Sequence, residues 1–225
     1  TKWLMLNSPS NPSGAVYSAD ELRALAAVLE RHPQLWTIAD DMYEHILYDG
    51  RSFATFAAVA PRLAGRLLTV NGVSKTYAMT GWRLGFAAGP VELIRAMARL
   101  QAQSSLNPSS VSQAAAVAAL NGPQDIVRER CAEFEARRNA IVPRLAAIPG
   151  LACMPPHGAF YLYVSCAGWL GRRTPQGNML ASDADVTAWL LESGVALPNG
   201  AGYGLSPYFR ISFASALPNL EEAFT

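Results

Sequence analysis

Short runs of branched and aromatic residues alternate along this chain with stretches whose apolar positions recur every three to four residues. Trp3-Leu4-Met5-Leu6 predicts a strand, and the turn formers from Asn7 to Gly14 predict a loop at its end. Ser18 with Glu21 three residues on has the form of a capping box, and Leu22, Leu25, Ala26 and Leu29 then follow at helical spacing to about Arg31. Leu35–Ala39 predicts a buried strand ending at Asp40-Asp41, Leu67–Val70 a second ending near Lys75, and Arg83–Ala88 a third. Strands that alternate with helices and end in polar residues describe an open α/β sheet, whose ligands gather at strand ends.

The pattern changes in the second half. Pro90 opens a helix with Leu93, Ile94, Met97 and Leu100 on one face, the polar break from Ser104 to Pro108 interrupts it, and another helix follows over Ser109–Leu120. Gly122-Pro123 then starts a long helix with Val127, Cys131, Phe134, Ile141 and Leu145 on its apolar face, kinked by Pro143 and ended by Gly150. Beyond it come a strand at Ala159–Val164, a helix at Asp183–Glu192, a short strand at Gly194–Leu197 and a strand at Tyr208–Phe213. A long helix between differently patterned halves predicts a boundary, with domains over 1–122 and 123–225 and an α+β arrangement in the second.

With 225 residues, 51% of them hydrophobic and 16% charged, the chain has the composition of an ordinary globular protein. A net charge of +1 without any Lys/Arg run gives no electrostatic reason to expect nucleic acid or an anionic membrane as partner. No apolar stretch is long enough to span a bilayer. Cys131, Cys153 and Cys166 are an odd number without C-x-x-C spacing, which suggests neither a disulfide framework nor a zinc site and fits a reducing cytoplasm. His32, His45 and His157 lack metal-ligand spacing.

Against this background Lys75 stands out, because it sits where an apolar strand gives way to small and polar residues, with Arg83 eight positions on. A lysine amine is nucleophilic only when neutral, and partial burial favours the neutral form, so a carbonyl cofactor could be held there as an imine. Asp40, Asp41 and Tyr43 end the preceding strand. Arg210 lies on the opposite face of its strand from Phe209, Ile211 and Phe213, and a guanidinium can hold a carboxylate through two parallel hydrogen bonds.

The run Ser74-Lys75-Thr76-Tyr77-Ala78-Met79-Thr80-Gly81-Trp82-Arg83-Leu84-Gly85 resembles the pyridoxal-phosphate lysine motif of the aspartate aminotransferase family. Asn11-Pro12-Ser13-Gly14 resembles that family's N-P-T-G loop, Asp40 with Tyr43 its ring-binding pair, and Arg210 its carboxylate arginine. These four motifs occur in the family's chain order and cover nearly the whole sequence. Asn199–Gly204 and His157–Tyr161 add weaker matches.

The resemblance implies a fold-type-I architecture: an incomplete large domain with a mostly parallel sheet and helices, then a C-terminal α+β small domain. It assigns Lys75 to the Schiff base and general-base role, and Arg83 to the cofactor phosphate. Asp40 falls to the pyridine nitrogen, Tyr43 to the phenolic oxygen, Asn11 to that oxygen and the substrate carboxylate, and Arg210 to the α-carboxylate. Asp41 is the neighbouring alternative to Asp40, which the spacing to Tyr43 favours. Gly72 stands where relatives often carry a phosphate-binding serine, leaving the role of Ser74 open. The implied activity is transamination between an L-amino acid, aspartate-like favoured, and a 2-oxo acid, in a cytoplasmic homodimer. A lyase or decarboxylase on the same scaffold, or an aminotransferase-like sensor domain of a transcription regulator, are the alternatives. The chain opens at Thr1 without methionine, and against the family pattern it is expected to be the later part of a longer protein, unable to transaminate by itself. The Asn11–Pro12 bond is expected to be cis.

Overall fold

The structure, a computed structural model, describes residues 1–224. The chain divides into two compact units, one formed by Thr1–Pro9 with Val16–Arg130, the other by Ser10–Ala15 with the chain from Cys131 onward.

In the first unit β1 (Trp3–Asn7), α1 (Ala19–Glu30), β2 (Trp36–Asp40), the short α2 (Phe56–Val59), β3 (Leu67–Gly72), β4 (Gly85–Ala88), α3 (Val91–Ser104) and α4 (Ser110–Asn121) follow in order. The sheet has the order β1-β2-β3-β4. β1, β2 and β3 are parallel, so Asn7, Asp40 and Val70 fall in one row at their carboxyl ends, while β4 returns antiparallel with Gly85 opposite Gly72. The capping box forms as its spacing predicts: Ser18 Oγ accepts from the Glu21 amide, and a Glu21 carboxylate oxygen accepts from the Ser18 amide. Once started there, α1 turns Leu22, Ala26 and Leu29 inward onto Leu6, Ala39, Phe56, Leu63 and Leu67, which with Ala60 form one buried cluster. Arg66 ties this layer together at its edge, donating to the carbonyls of Leu29, His32 and Leu35. Val91, Leu100, Leu106, Val111 and Val117, on or beside α3 and α4, are more than half exposed, as is Met5 on β1.

The third expected strand starts later than its pattern suggested. Arg83 follows a 3-10 turn at Thr80–Trp82 and has φ +54°, in the left-handed region, so the extended backbone begins only at Gly85.

α5 (Asp125–Ala146) runs through Pro143 into the second unit, which continues with β5 (Ala152–Cys153), β6 (Tyr161–Ser165), α6 (Asp183–Glu192), β7 (Tyr208–Ser212) and α7 (Leu217–Glu222). Its sheet is antiparallel in the order β5-β6-β7. Ile141 and Leu145 of α5, Leu162 and Val164 of β6, Val186 of α6, and Phe209 and Phe213 on and beside β7 are among its buried apolar side chains. No strand forms over Gly194–Leu197. Pairing with β7 starts only at Pro198, whose carbonyl accepts from the Arg210 amide, and at Asn199 and Gly200. Pro198 offers no N–H to extend a ladder. No helix among the described residues is long and apolar enough to cross a membrane.

Ser18→Ala removes the hydroxyl that satisfies the first turn of α1, and is expected to cost about 1 kcal/mol of stability. Urea denaturation of parent and variant measures it, and an unchanged midpoint would show that α1 is held by its packing alone.

Candidate active site

Parallel pairing concentrates chemistry at one end of the first unit's sheet. Asp40 is the last residue of β2, Tyr43 lies in the turn that follows, Lys75 comes three residues after β3, and Arg83 lies two residues before β4, whose first residue pairs with the last of β3. Carboxyl ends of parallel strands are where open α/β sheets bind ligands, because the connections splay apart there.

The two adjacent aspartates have different surroundings. Asp40 is half-buried; one of its oxygens accepts from the Met42 amide at 3.1 Å, and among the described residues no cation pairs with it. Burial raises its pKa above the ordinary value, partly offset by the Met42 hydrogen bond. Asp41 is buried and accepts from the Thr55 hydroxyl at 2.7 Å. Burial lifts its carboxyl to about 6, against the Thr55 hydrogen bond and with help from the charges of Glu44 and Asp40. Asp41 is therefore an internal group already tied to its own unit, whereas Asp40 is a strand-end carboxylate in need of a cation. That need fits the protonated ring nitrogen of a pyridoxal cofactor.

Lys75 is half-buried, and among the described residues no carboxylate pairs with its amine. Tyr43 is buried. Arg83 is exposed and donates from Nη1 to the Thr80 carbonyl at 3.0 Å, which leaves donors for an anion. Gly72 packs so closely that a Cβ there would lie 3.0 Å from the Leu84 carbonyl and 3.1 Å from Gly85 Cα. A serine would crowd β4 at this point.

The second unit joins two residues far apart in sequence. Arg210 Nη1 donates to Asn11 Oδ1 at 2.7 Å. The guanidinium lies 4.5 Å from the ring centre of Tyr161 and 5.3 Å from that of Tyr203. Its Nε is buried and unpaired, and among the described residues no carboxylate neutralises it. The loop that carries Asn11 is anchored by Gly14, whose carbonyl accepts from the amides of His157 and Gly158. Gly14 has φ +66°, and a Cβ there would fall 2.3 Å from Pro156 Cβ, so only glycine fits. Asn11–Pro12 is cis, as expected. Pattern reading missed the aromatic surroundings of Arg210, although alternation in Tyr161-Leu162-Tyr163 already placed both tyrosines on one side of a strand.

The family profile for aminotransferase class I and II matches residues 1–224. The chain belongs to this family. The aspartate aminotransferase of Rhizobium meliloti is 57% identical over 224 residues, which is 99% of this chain and 55% of that protein. The aspartate/prephenate aminotransferase of Cereibacter sphaeroides is 51% identical over 99% of this chain and 56% of its own length. The crystal structure of the R. meliloti aspartate aminotransferase superposes with a TM-score of 0.96 at 56% identity, covering 100% of this chain and 56% of that one. A Thermus thermophilus aspartate aminotransferase with maleate superposes at 0.85 and 36% identity, covering 100% of this chain and 55% of that one. The fold is thus that of aminotransferases, and the chain spans about half the length of the curated relatives it matches.

Ionisation of Asp41 is disfavoured in the folded state, since its pKa stands at about 6 against 3.8 for an ordinary aspartate. Its charge therefore costs stability above pH 6 and costs nothing below the unfolded value. Asp41→Asn keeps an acceptor for Thr55 and is expected to stabilise the protein at neutral pH by about 1–3 kcal/mol, at roughly 1.4 kcal/mol per pKa unit. The gain should fade as the pH falls towards 4. Denaturation at both pH values tests this; a gain that does not change with pH would contradict it.

Proposed function

We propose that this chain supplies cofactor and substrate groups of a pyridoxal-phosphate-dependent aminotransferase that exchanges an amino group between an L-amino acid, aspartate-like favoured, and a 2-oxo acid. The observation that carries this reading is the uncompensated Arg210 guanidinium. A partly buried positive charge hydrogen-bonded to a neutral amide oxygen is costly unless an anion completes it. A substrate carboxylate is that anion, and Arg210 together with Asn11 would hold it in one orientation.

Pyridoxal phosphate, when bound, supplies a conjugated cationic ring that can accept the electron pair left at the α-carbon of an amino acid. Lys75 would hold it covalently through its amine and, once released, carry the α-proton as general base. Asp40 would keep the ring nitrogen protonated, Tyr43 would donate to the phenolic oxygen, and Arg83 would pair with the phosphate. Asn11, fixed by Arg210, would steady both the ring oxygen and the carboxylate. The aspartate-like preference is supported by the relatives named for aspartate and by the related structure with maleate, a dicarboxylate. A homodimer in the cytoplasm is part of the same proposal, and the exposed apolar side chains on and around α3 and α4 are surface that more protein would cover.

The full-length protein should convert aspartate to its oxo acid only when a 2-oxo acid acceptor is present; product formed without an acceptor would point to a lyase or decarboxylase. Borohydride reduction and peptide mapping should place the pyridoxyl group on Lys75, since Lys2 is the only other lysine in this sequence. A label elsewhere would overturn the assignment. Asp40→Asn should leave attachment intact but depress kcat heavily, whereas Asp41→Asn should alter kcat little; equal losses would refute the distinction. Arg210→Lys should lower kcat/KM by about tenfold to a hundredfold with unchanged cofactor absorbance, because lysine cannot bind bidentately.

A further inference from the structure

The turn beside Arg210 has an unexpected construction. Ala201–Tyr203 forms a single 3-10 turn, and Gly204 follows at φ +81°. Residues 201–205 are exposed, and glycines at 200, 202 and 204 would leave such a stretch loose by themselves. Instead it is held by groups from other elements. Tyr163 Oη, from β6, donates to the carbonyls of Gly200 at 3.1 Å and Leu205 at 2.9 Å, one proton shared between both ends of the turn. Asp183, buried at the start of α6, accepts from the Ala201 amide at 3.0 Å. The Gly200 amide donates to the Tyr208 carbonyl at 2.6 Å, and a Cβ on Gly200 would lie 2.3 Å from the Leu205 carbonyl. The Tyr163 ring stacks on Tyr208 at 4.9 Å and meets Tyr203 edge-on at 6.1 Å. Burial, with the charge of Asp183 beside it, raises the Tyr163 pKa, which keeps its hydroxyl a donor.

We propose that Tyr163 and Asp183 are positioning residues that clamp the 200–205 turn so that Tyr203 covers the Arg210 guanidinium, and that this clamp sets the affinity for the carboxylate of the amino acid. The proposal rests on the reading of Arg210 as the carboxylate seat. A ring held against the guanidinium restricts its rotation and removes water from it, and a charge pair strengthens as the local dielectric falls. A turn free to swing away would return that water and let the guanidinium turn. The clamp touches neither the cofactor groups nor the proton-transfer groups, so its loss acts on binding and not on turnover.

Tyr163→Phe in the full-length enzyme keeps the ring stack and deletes the shared proton. The expected result is a rise of about threefold to tenfold in KM for the amino donor and in the inhibition constant of succinate, the scale of one neutral hydrogen bond, with kcat within about twofold. Hydrogen exchange in the peptide spanning residues 199–206 should quicken. Gly200→Ala should reproduce both changes by forcing the turn open. Tyr208→Phe, which keeps its stacked ring, should leave KM and exchange as in the parent. Faster exchange with unchanged KM, or a fall in kcat without a change in exchange, would overturn the clamp. Arg210→Lys separates the two readings: if it raises KM while Tyr163→Phe does not, only the clamp fails, and if it leaves KM untouched, the carboxylate seat fails and the clamp with it.

Discussion

Parallel pairing of β1, β2 and β3 is the constraint on which the first unit depends. Each parallel connection must cross back over the sheet, so the three strands all end on the same side and whatever follows them is delivered there. The row Asn7, Asp40, Val70 makes this concrete, and β4, returning antiparallel, brings the Arg83 turn to the same edge. Residues thirty or more positions apart become neighbours in topology through backbone hydrogen bonding alone. The cluster of α1 side chains on Leu6, Ala39 and Leu67 holds that register, because a slip by one residue would turn each strand's buried set outward.

Charges without a counter-ion among the described residues mark an unmet electrostatic need in each unit. Asp40, half-buried, and Arg210, partly buried, have no counter-ion among the described residues, and both cost stability as they stand. The neighbouring carboxylate, Asp41, has its Thr55 hydroxyl and a buried setting, which tie it into its own unit. Degree of perturbation does not by itself separate them: the carboxyl lifted to about 6 is the one bonded to Thr55, and the strand-end carboxyl, also raised, has no cation beside it among the described residues. Geometry and missing partners separate the two better than the size of the shift does.

In the second unit tight backbone contacts replace long side chains as the means of precision. Gly14 and Gly200 each bring a loop against its neighbour at a distance no Cβ permits, and each lies next to a polar contact that depends on it, Asn11 with Arg210 in one case and Tyr163 with the 200–205 turn in the other. Rigid seats of this kind lower the entropy lost when a ligand binds.

Much of this was legible in sequence. The capping box at Ser18 and Glu21, the helical spacing of Leu22 to Leu29 and the apolar runs of β2 and β3 are local signals, and local signals survive into the structure because the same few residues make and satisfy them. The motifs proposed to carry the chemistry are local in the same way, since Lys75, Arg83, Asp40 and Tyr43 lie within short runs whose residue types are specific. What only tertiary structure decided is long-range and geometric. The start of β4 at Gly85 depended on Arg83 adopting a left-handed backbone, and Gly194–Leu197 stayed out of the sheet because its ladder to β7 begins at a proline. The hydrogen bond between Asn11 and Arg210, the aromatic cover supplied by Tyr161 and Tyr203, and the different surroundings of two adjacent aspartates all depend on the folded chain. A one-dimensional pattern states which residues prefer burial; which partner each one meets there is set by how the elements pack.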